Sequence, residues 1–291
     1  MYDVPLLLEN ERLDTVILKK FGYEKKKKNL AHWKKFVDIL HKKDKPICKI
    51  AIVGKYTSLS DSYISVVESL KHAAVNNHCD VNINFINSEE IEKCESHDVF
   101  NHYNGILIPG GFGDRGIEGK IAAAKYARIN KIPYLGLCLG MHIAVIDFAR
   151  NILHLNGAHS TEFNELTDFP VIDFLKEQKS IKNLGGTMRL GSYPCKVKTD
   201  TILHNAYQMK LISERHRHRY EFNNKFKSQF EKKGIIFSGT SPDEKLVEVV
   251  ELQNHPFFLG CQFHPEFKSR PYRSHPLFNL FIEKSLLVSR G

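Results

Sequence analysis

Pro133-Tyr-Leu-Gly-Leu-Cys138-Leu-Gly-Met-His142 is the stretch from which the 291-residue chain is best read. The apolar run Ile132 to Leu137 predicts a short buried strand, and Met141 to Phe148 carries apolar residues at helical spacing. Gly136 and Gly140 stand two residues before and two after Cys138. A sharp strand-to-helix turn needs small residues there, because a Cβ would crowd the bend. Such a turn lifts Cys138 to the start of a helix. There the helix dipole favours a thiolate, and free backbone N–H groups favour an oxyanion. Taken alone, the stretch also fits an inert buried thiol in a Gly-rich turn.

Working outward, the same grammar recurs. Ile50-Ala-Ile-Val-Gly54 predicts a buried parallel strand, and Ser60 to Val75 a helix with Asp61 near its N-cap. Val81 to Ile86 alternates as a half-buried strand, Gly105 to Ile108 gives a third strand, and Ile117 to Ile129 a helix. Successive strand–helix units predict an α/β fold: a doubly wound, mostly parallel sheet with ligands at the carboxyl ends of its strands. Cys138 and the loop Pro109-Gly-Gly-Phe-Gly113 both fall at such ends. Residues 151–195 are polar and glycine-containing, as a mobile loop or lid would be. The last third reads as short strands at 234–237, 246–251 and 257–263, joined by turns that suggest antiparallel pairing.

The first 47 residues differ. Tyr2 to Leu8 reads as an extended segment ending at a proline, and Asn10 to Phe21 and Leu30 to Leu40 as helices flanking the block Lys25 to Lys28. We divide the chain there: 1–47 as a lead-in, 48–291 as the working domain. The net charge of +9 is diffuse, and no aromatic residues interleave with the lysine block, so a nucleic-acid surface is not indicated. No apolar run approaches the roughly 18 residues of a membrane span, and the start lacks the basic region of a signal peptide. Six cysteines (48, 79, 94, 138, 195 and 261) include no Cys-x-x-Cys pair, which argues against a zinc site and for a reducing, cytoplasmic setting.

A cysteine nucleophile needs a base, and the base needs a group to orient it. Among fifteen histidines, His264 stands out: it follows a strand, is braced by Pro265, and has Glu266 two residues on. Gly110-Gly111 at a strand end, and the N–H of Leu139 just after the nucleophile, are candidate oxyanion donors.

Together, Pro109 to Gly116, Gly136 to Met141 and Gln262 to Glu266 resemble a class I glutamine amidotransferase domain. Ser160-Thr-Glu-Phe163, Gly185-Gly-Thr-Met-Arg-Leu-Gly191 and Glu214-Arg-His-Arg-His-Arg-Tyr220 narrow the resemblance to the glutaminase half of the CTP synthases, with support from Val53 to Tyr56 and Ser60 to Tyr63. The likeness runs from about 48 to 284. Tyr2 to Glu9 resembles the last segment of that family's amidoligase domain, followed by an interdomain linker. It implies that Cys138 attacks the side-chain amide of L-glutamine, His264 acts as base and acid, and Glu266 orients it. Glu162 and Arg219 would hold the α-amino and α-carboxylate groups, with Gly111, Leu139, Gly140, Met141 and His142 around the substrate. Phe112, Arg115, Thr187 and Arg189 would belong to a region that responds to the activator GTP. This domain would need no cofactor of its own. ATP and magnesium would serve the amidoligase, absent from this sequence, in a tetrameric whole enzyme.

One position departs from the pattern: residue 142 is usually Gln in the family and is His here. An imidazole there is expected to line the pocket and either to weaken glutamine affinity, through its shorter reach, or to tune it with pH by gaining charge near neutrality. Two other readings share parts of the pattern. A different triad amidotransferase or γ-glutamyl hydrolase would lack the Arg-His-Arg-His-Arg and Gly-Gly-Thr-Met-Arg-Leu blocks; a catalytically idle docking module would not require the triad.

Overall fold

A computed structural model describes residues 1–23, 29–55, 60–93, 96–174 and 188–288. Three helices come first: α1 (Val4–Asn10), α2 (Leu13–Lys20) and α3 (Ala31–His41). The stretch expected to be extended is therefore helical. Pro5 sits in the first turn of α1, where its fixed φ suits a helix and its missing N–H costs nothing. Phe36 and Val37 of α3 pack with Val75, Tyr2 and Trp33, and the Trp33 indole donates to the Tyr2 carbonyl (2.8 Å). Much of the apolar surface of α1 and α2, including Leu7, Leu8, Val16 and Ile17, is exposed. Lys25 to Lys28 lie outside the described residues.

The strand–helix alternation then follows in order: β1 (Ile47–Gly54), α4 (Ile64–Asn76), β2 (Asp80–Asn87), α5 (Ser88–Ile91), α6 (Ser96–Phe100), β3 (Gly105–Ile108), α7 (Ile117–Ile129), β4 (Tyr134–Leu137) and α8 (Leu139–Asn151). A single 3-10 turn, Ser60–Tyr63, precedes α4, so its N-cap is Tyr63 rather than a residue near Asp61. The remaining elements are β5 (His159–Ser160), β6 (Pro170–Phe174), β7 (Arg189–Val197), α9 (Ile202–Tyr207), β8 (Leu211–His218), β9 (Tyr220–Phe222), α10 (Lys227–Lys232), β10 (Ile235–Thr240), β11 (Val247–Leu252), β12 (Phe258–Cys261) and α11 (Pro276–Leu286).

Nine strands form one sheet in the order β2-β1-β3-β4-β12-β11-β10-β7-β8. From β2 to β12 the neighbours are parallel; from β12 to β8 they are antiparallel. The antiparallel expectation for the last third thus holds on one side of β12. Its other edge runs parallel to β4, with Cys261 opposite Leu137. That pairing matters most for function, because it sets the carboxyl ends of β4 and β12 side by side. Helices cover both faces, with α7 and α8 against one apolar cluster and α4 and α11 against the other. A separate three-stranded sheet, β5-β6-β9, brings the residues just after β5 beside those just before β9.

Candidate active site

Cys138 is the hinge residue between β4 and α8, with φ 51° and ψ −100°. A non-glycine side chain rarely occupies this region, and such strain persists only where the surroundings enforce it. They do so here: the Cys138 N–H donates to the Cys261 carbonyl (2.7 Å), and its own carbonyl accepts from Met141 N–H (3.0 Å). Gly140 is indispensable to the bend, since a Cβ there would collide with the backbone carbonyl of Ile108. The turn is thus wedged between β3 and β12, with Leu139 opening α8. Donors in a helix's first turn have no intrahelical partner, so the Leu139 N–H suits an oxyanion role.

His264 follows β12 by three residues. Its N–H donates to the Arg215 carbonyl (2.8 Å), its ring stacks on Phe267, and its Nδ1 lies 2.7 Å from Glu266 Oε1. A Cβ on Gly110 would come within 2.7 Å of His264 Cε1 and 3.6 Å of Cys138 Cβ, so His264 and Cys138 flank the same glycine. Burial alone would depress the His264 pKa. The charge of Cys138 and the hydrogen bond and charge of Glu266 outweigh it and push the value up to about 10. Glu266 fixes the ring, and the arrangement favours a protonated imidazole beside Cys138.

Gly111, Phe112, Cys138, Leu139, His142, Glu162, His218, Arg219 and Tyr220 line one small, tightly closed pocket. Glu162 arrives from the segment after β5 and Arg219 from the residue between β8 and β9, joined across the small sheet. One Glu162 oxygen accepts from the Gly113 N–H (3.3 Å), and burial raises its pKa against the pull of Gly113 and Arg219. Gly110, Gly111 and Phe112 also wall a larger open cleft, about 400 Å³, that reaches His264 and Glu266.

Some expected residues lie elsewhere. Gly140 and Met141 stand behind the nucleophile rather than on the cavity wall: the Gly140 carbonyl accepts from the Tyr134 hydroxyl (2.7 Å), and Met141 is fully buried in the core. Arg115 pairs with Glu89 (3.1 Å), while Phe112 is 43% exposed beside Arg217. Thr187 lies outside the described residues, as does the rest of the expected lid between 175 and 187. Arg189 is buried. It binds Glu221 and Glu248 at 2.9 Å each, and Glu221 in turn lies 2.8 Å from His218 Nε2. The first four residues of the Arg-His-Arg-His-Arg block lie in strand β8, whose alternation buries Glu214, His216 and His218 and exposes Arg215 and Arg217, with Arg219 just beyond its end. His218 and Tyr220 were not singled out from sequence; the period-two pattern of that block is the signal that points to them.

His142 does line the cavity, but burial pushes its pKa down to about 4, so it is neutral through pH 6 to 8. Burial therefore opposes titration near neutrality, because a fully enclosed ring loses the water that would solvate its charge. Cys48, Cys79, Cys138, Cys195 and Cys261 are all free and buried, and among the described residues no cluster of metal-ligating side chains occurs. No helix among them is long and apolar enough to cross a membrane.

The glutamine amidotransferase class-I family profile matches residues 58–284. A CTP synthase of Aquifex aeolicus is 52% identical over 289 residues, covering 99% of this chain and 54% of that protein. One from Clostridium acetobutylicum is 51% identical over 288 residues, again 99% and 54%. The chain spans about half the length of these curated relatives. Among solved structures, the Trypanosoma brucei CTPS glutaminase domain with bound acivicin superposes with a TM-score of 0.77 at 35% identity, covering 82% of this chain and 93% of that one.

Proposed function

We propose, for a chain that belongs to the class-I glutamine amidotransferases as a glutaminase domain of the CTP synthase kind, that it hydrolyses L-glutamine through a Cys138–His264–Glu266 triad. The observation that carries this reading is the single cavity holding Cys138 at one wall and Glu162 and Arg219 at another. A carboxylate suits the α-ammonium group, and a guanidinium suits the α-carboxylate. Held by both ends, the substrate presents its side-chain amide to the sulfur.

Cys138 Sγ bonds to the amide carbon, and the negative oxygen faces the N–H groups of Gly111 and Leu139. The proton on His264 Nε2 passes to the amide nitrogen as the C–N bond breaks, releasing ammonia and leaving a γ-glutamyl thioester. Water then gives a proton to His264 while its oxygen attacks the thioester. Glutamate departs and the thiolate–imidazolium pair is restored.

The ammonia would serve an amidoligase domain that converts UTP to CTP with ATP, supplied by the other half of the whole protein. Residues 1–47 fit as the end of that domain and its linker, and 48–291 as the glutaminase. Phe112 and Arg115, exposed near the cavity mouth, are the candidates for a direct response to GTP. Arg189, locked between two carboxylates, would act through the buried cluster rather than by contact.

Glutamate release from glutamine by the chain, with and without GTP, tests the proposal. Activity that vanishes in Cys138→Ala supports it. Activity that survives that change refutes it, and inactivity that persists with the amidoligase supplied favours a docking module.

A further inference from the structure

Gln262 and His142 form a hydrogen-bonded chain behind the nucleophile that the triad does not use. Gln262 Nε2 lies 3.9 Å from Cys138 Sγ, and Gln262 Oε1 lies 2.9 Å from His142 Nε2. The Gln262 backbone N–H is tied to the Glu248 carbonyl (2.8 Å), so the side chain leaves a fixed point on the core sheet. All three side chains are buried.

We propose that Gln262 is a positioning residue that stabilises Cys138 as a thiolate, and that His142 sets the direction of its amide. A neutral imidazole has one N–H and one lone pair, and an amide has a donor end and an acceptor end. With the proton on Nε2, His142 donates to Oε1, which turns the Gln262 NH₂ toward the sulfur. A thiolate accepts from that NH₂. The reversed amide would face the sulfur with a carbonyl, which suits only a protonated thiol. The orientation present is thus the one complementary to the anion that attacks the substrate. The long contact has room to shorten as charge gathers on sulfur. His142 Nδ1 meets no hydrogen-bond partner among the described residues, so nothing there draws the ring proton away from Nε2, and a glutamine amide can donate the same bond to Oε1.

The titratable groups around this chain are His264 and Cys261 at the end of β12, and His218 and Glu221 from β8 and β9. Each stays in place in the substitutions below. The inference rests on Cys138 being the nucleophile, and the experiment separates the two claims.

The rate of iodoacetamide alkylation of the Cys138 peptide in the folded full chain is followed by mass spectrometry from pH 5 to 9. Gln262→Met keeps the volume and removes the N–H; His142→Met removes the donor behind it; His142→Gln replaces that donor. The midpoint of the rate profile is expected to rise by about one pH unit in Gln262→Met and by roughly half that in His142→Met, with His142→Gln staying at the wild-type value. Unchanged midpoints in both Met variants, with native circular dichroism, overturn the proposal. Should Gln262→Met fail to fold, the His142→Met and His142→Gln pair decides it alone. If wild-type Cys138 alkylates no faster than a cysteine in a short peptide at any pH, the nucleophile assignment itself fails and takes this inference with it.

Discussion

Glu248→Gln is expected to stabilise the protein at pH 8 and to leave it nearly unchanged at pH 4.5. The buried cluster behind the cavity holds one guanidinium, Arg189, against two carboxylates, Glu221 and Glu248, whose side chains are 2% and 0% exposed. The nearby His216 and His218 contribute no charge, since burial and Arg189 hold both neutral. The cluster is therefore one negative charge in excess once both carboxyls ionise. Burial pushes Glu248 from 4.5 up to about 7, against the pull of Arg189. A carboxyl with a raised folded pKa favours folding while protonated and loses that contribution as pH climbs from its unfolded value through the folded one. From pH 4.5 to 7, the loss amounts to about 3 kcal/mol. Glutamine keeps an oxygen for Arg189, and its new NH₂ faces His216 Nδ1, which lies 3.7 Å from the present Oε2. Urea unfolding at pH 8 should show Glu248→Gln more stable by about 1 to 3 kcal/mol, with the gap closing toward pH 4.5. Arg189→Met is the counterpart: it strands two buried carboxylates and should cost about 3 to 5 kcal/mol at pH 8, less at pH 5. A pH-independent gap, or a Glu248→Gln variant less stable than wild type at pH 8, refutes the charge argument.

If Arg219 holds the α-carboxylate as proposed, Arg219→Lys replaces a planar, two-pronged partner by a point charge and should raise the KM for glutamine by about tenfold or more with a smaller change in kcat. A selective fall in kcat in steady-state assays would place Arg219 elsewhere in the reaction. Gly110→Ala sets a methyl group 2.7 Å from His264 Cε1 and should lower kcat at least about a hundredfold by displacing the base, with thermal stability little changed. Full activity would mean that His264 is not held against that glycine during turnover. Glu266→Gln preserves a hydrogen bond to His264 Nδ1 but removes the charge behind it. The acidic limb of the kcat/KM profile should shift, and the rate should fall by about two to four orders of magnitude.

Several features were legible because their causes are local. The strand–turn–helix at Cys138 follows from an apolar run, a glycine on either side and helical spacing afterwards, and these appear in β4 and α8 at nearly the expected residues. The boundaries of β3 and α7 were read from the same periodicities. Local reasoning failed where two local rules compete. Pro5 was read as ending an extended segment, yet a proline also opens helices, and packing of Tyr2 and Leu6 against Phe36 and Trp33 selects the second outcome.

The protonation state of His142 lay beyond the sequence for a different reason. Position in a helix says where the ring points, while its pKa depends on how completely distant elements exclude water, and here β8, β9 and β12 enclose it. The same holds for Arg189, whose neighbours Glu221 and Glu248 come from β9 and β11.

Residue order alone carries part of the chemistry: a cysteine at a sharp turn and a braced histidine with a carboxylate two residues on; the pairing of Glu162 with Arg219 came from the family resemblance. Tertiary structure decided that these meet. His264 reaches Cys138 because β12 slots into the sheet between β4 and β11 with its carboxyl end beside that of β4. Glu162 reaches Arg219 because β5, β6 and β9 close into a second sheet. Strand order of this kind is a choice among non-local pairings, settled by the burial of whole faces, and no local pattern of residues encodes it.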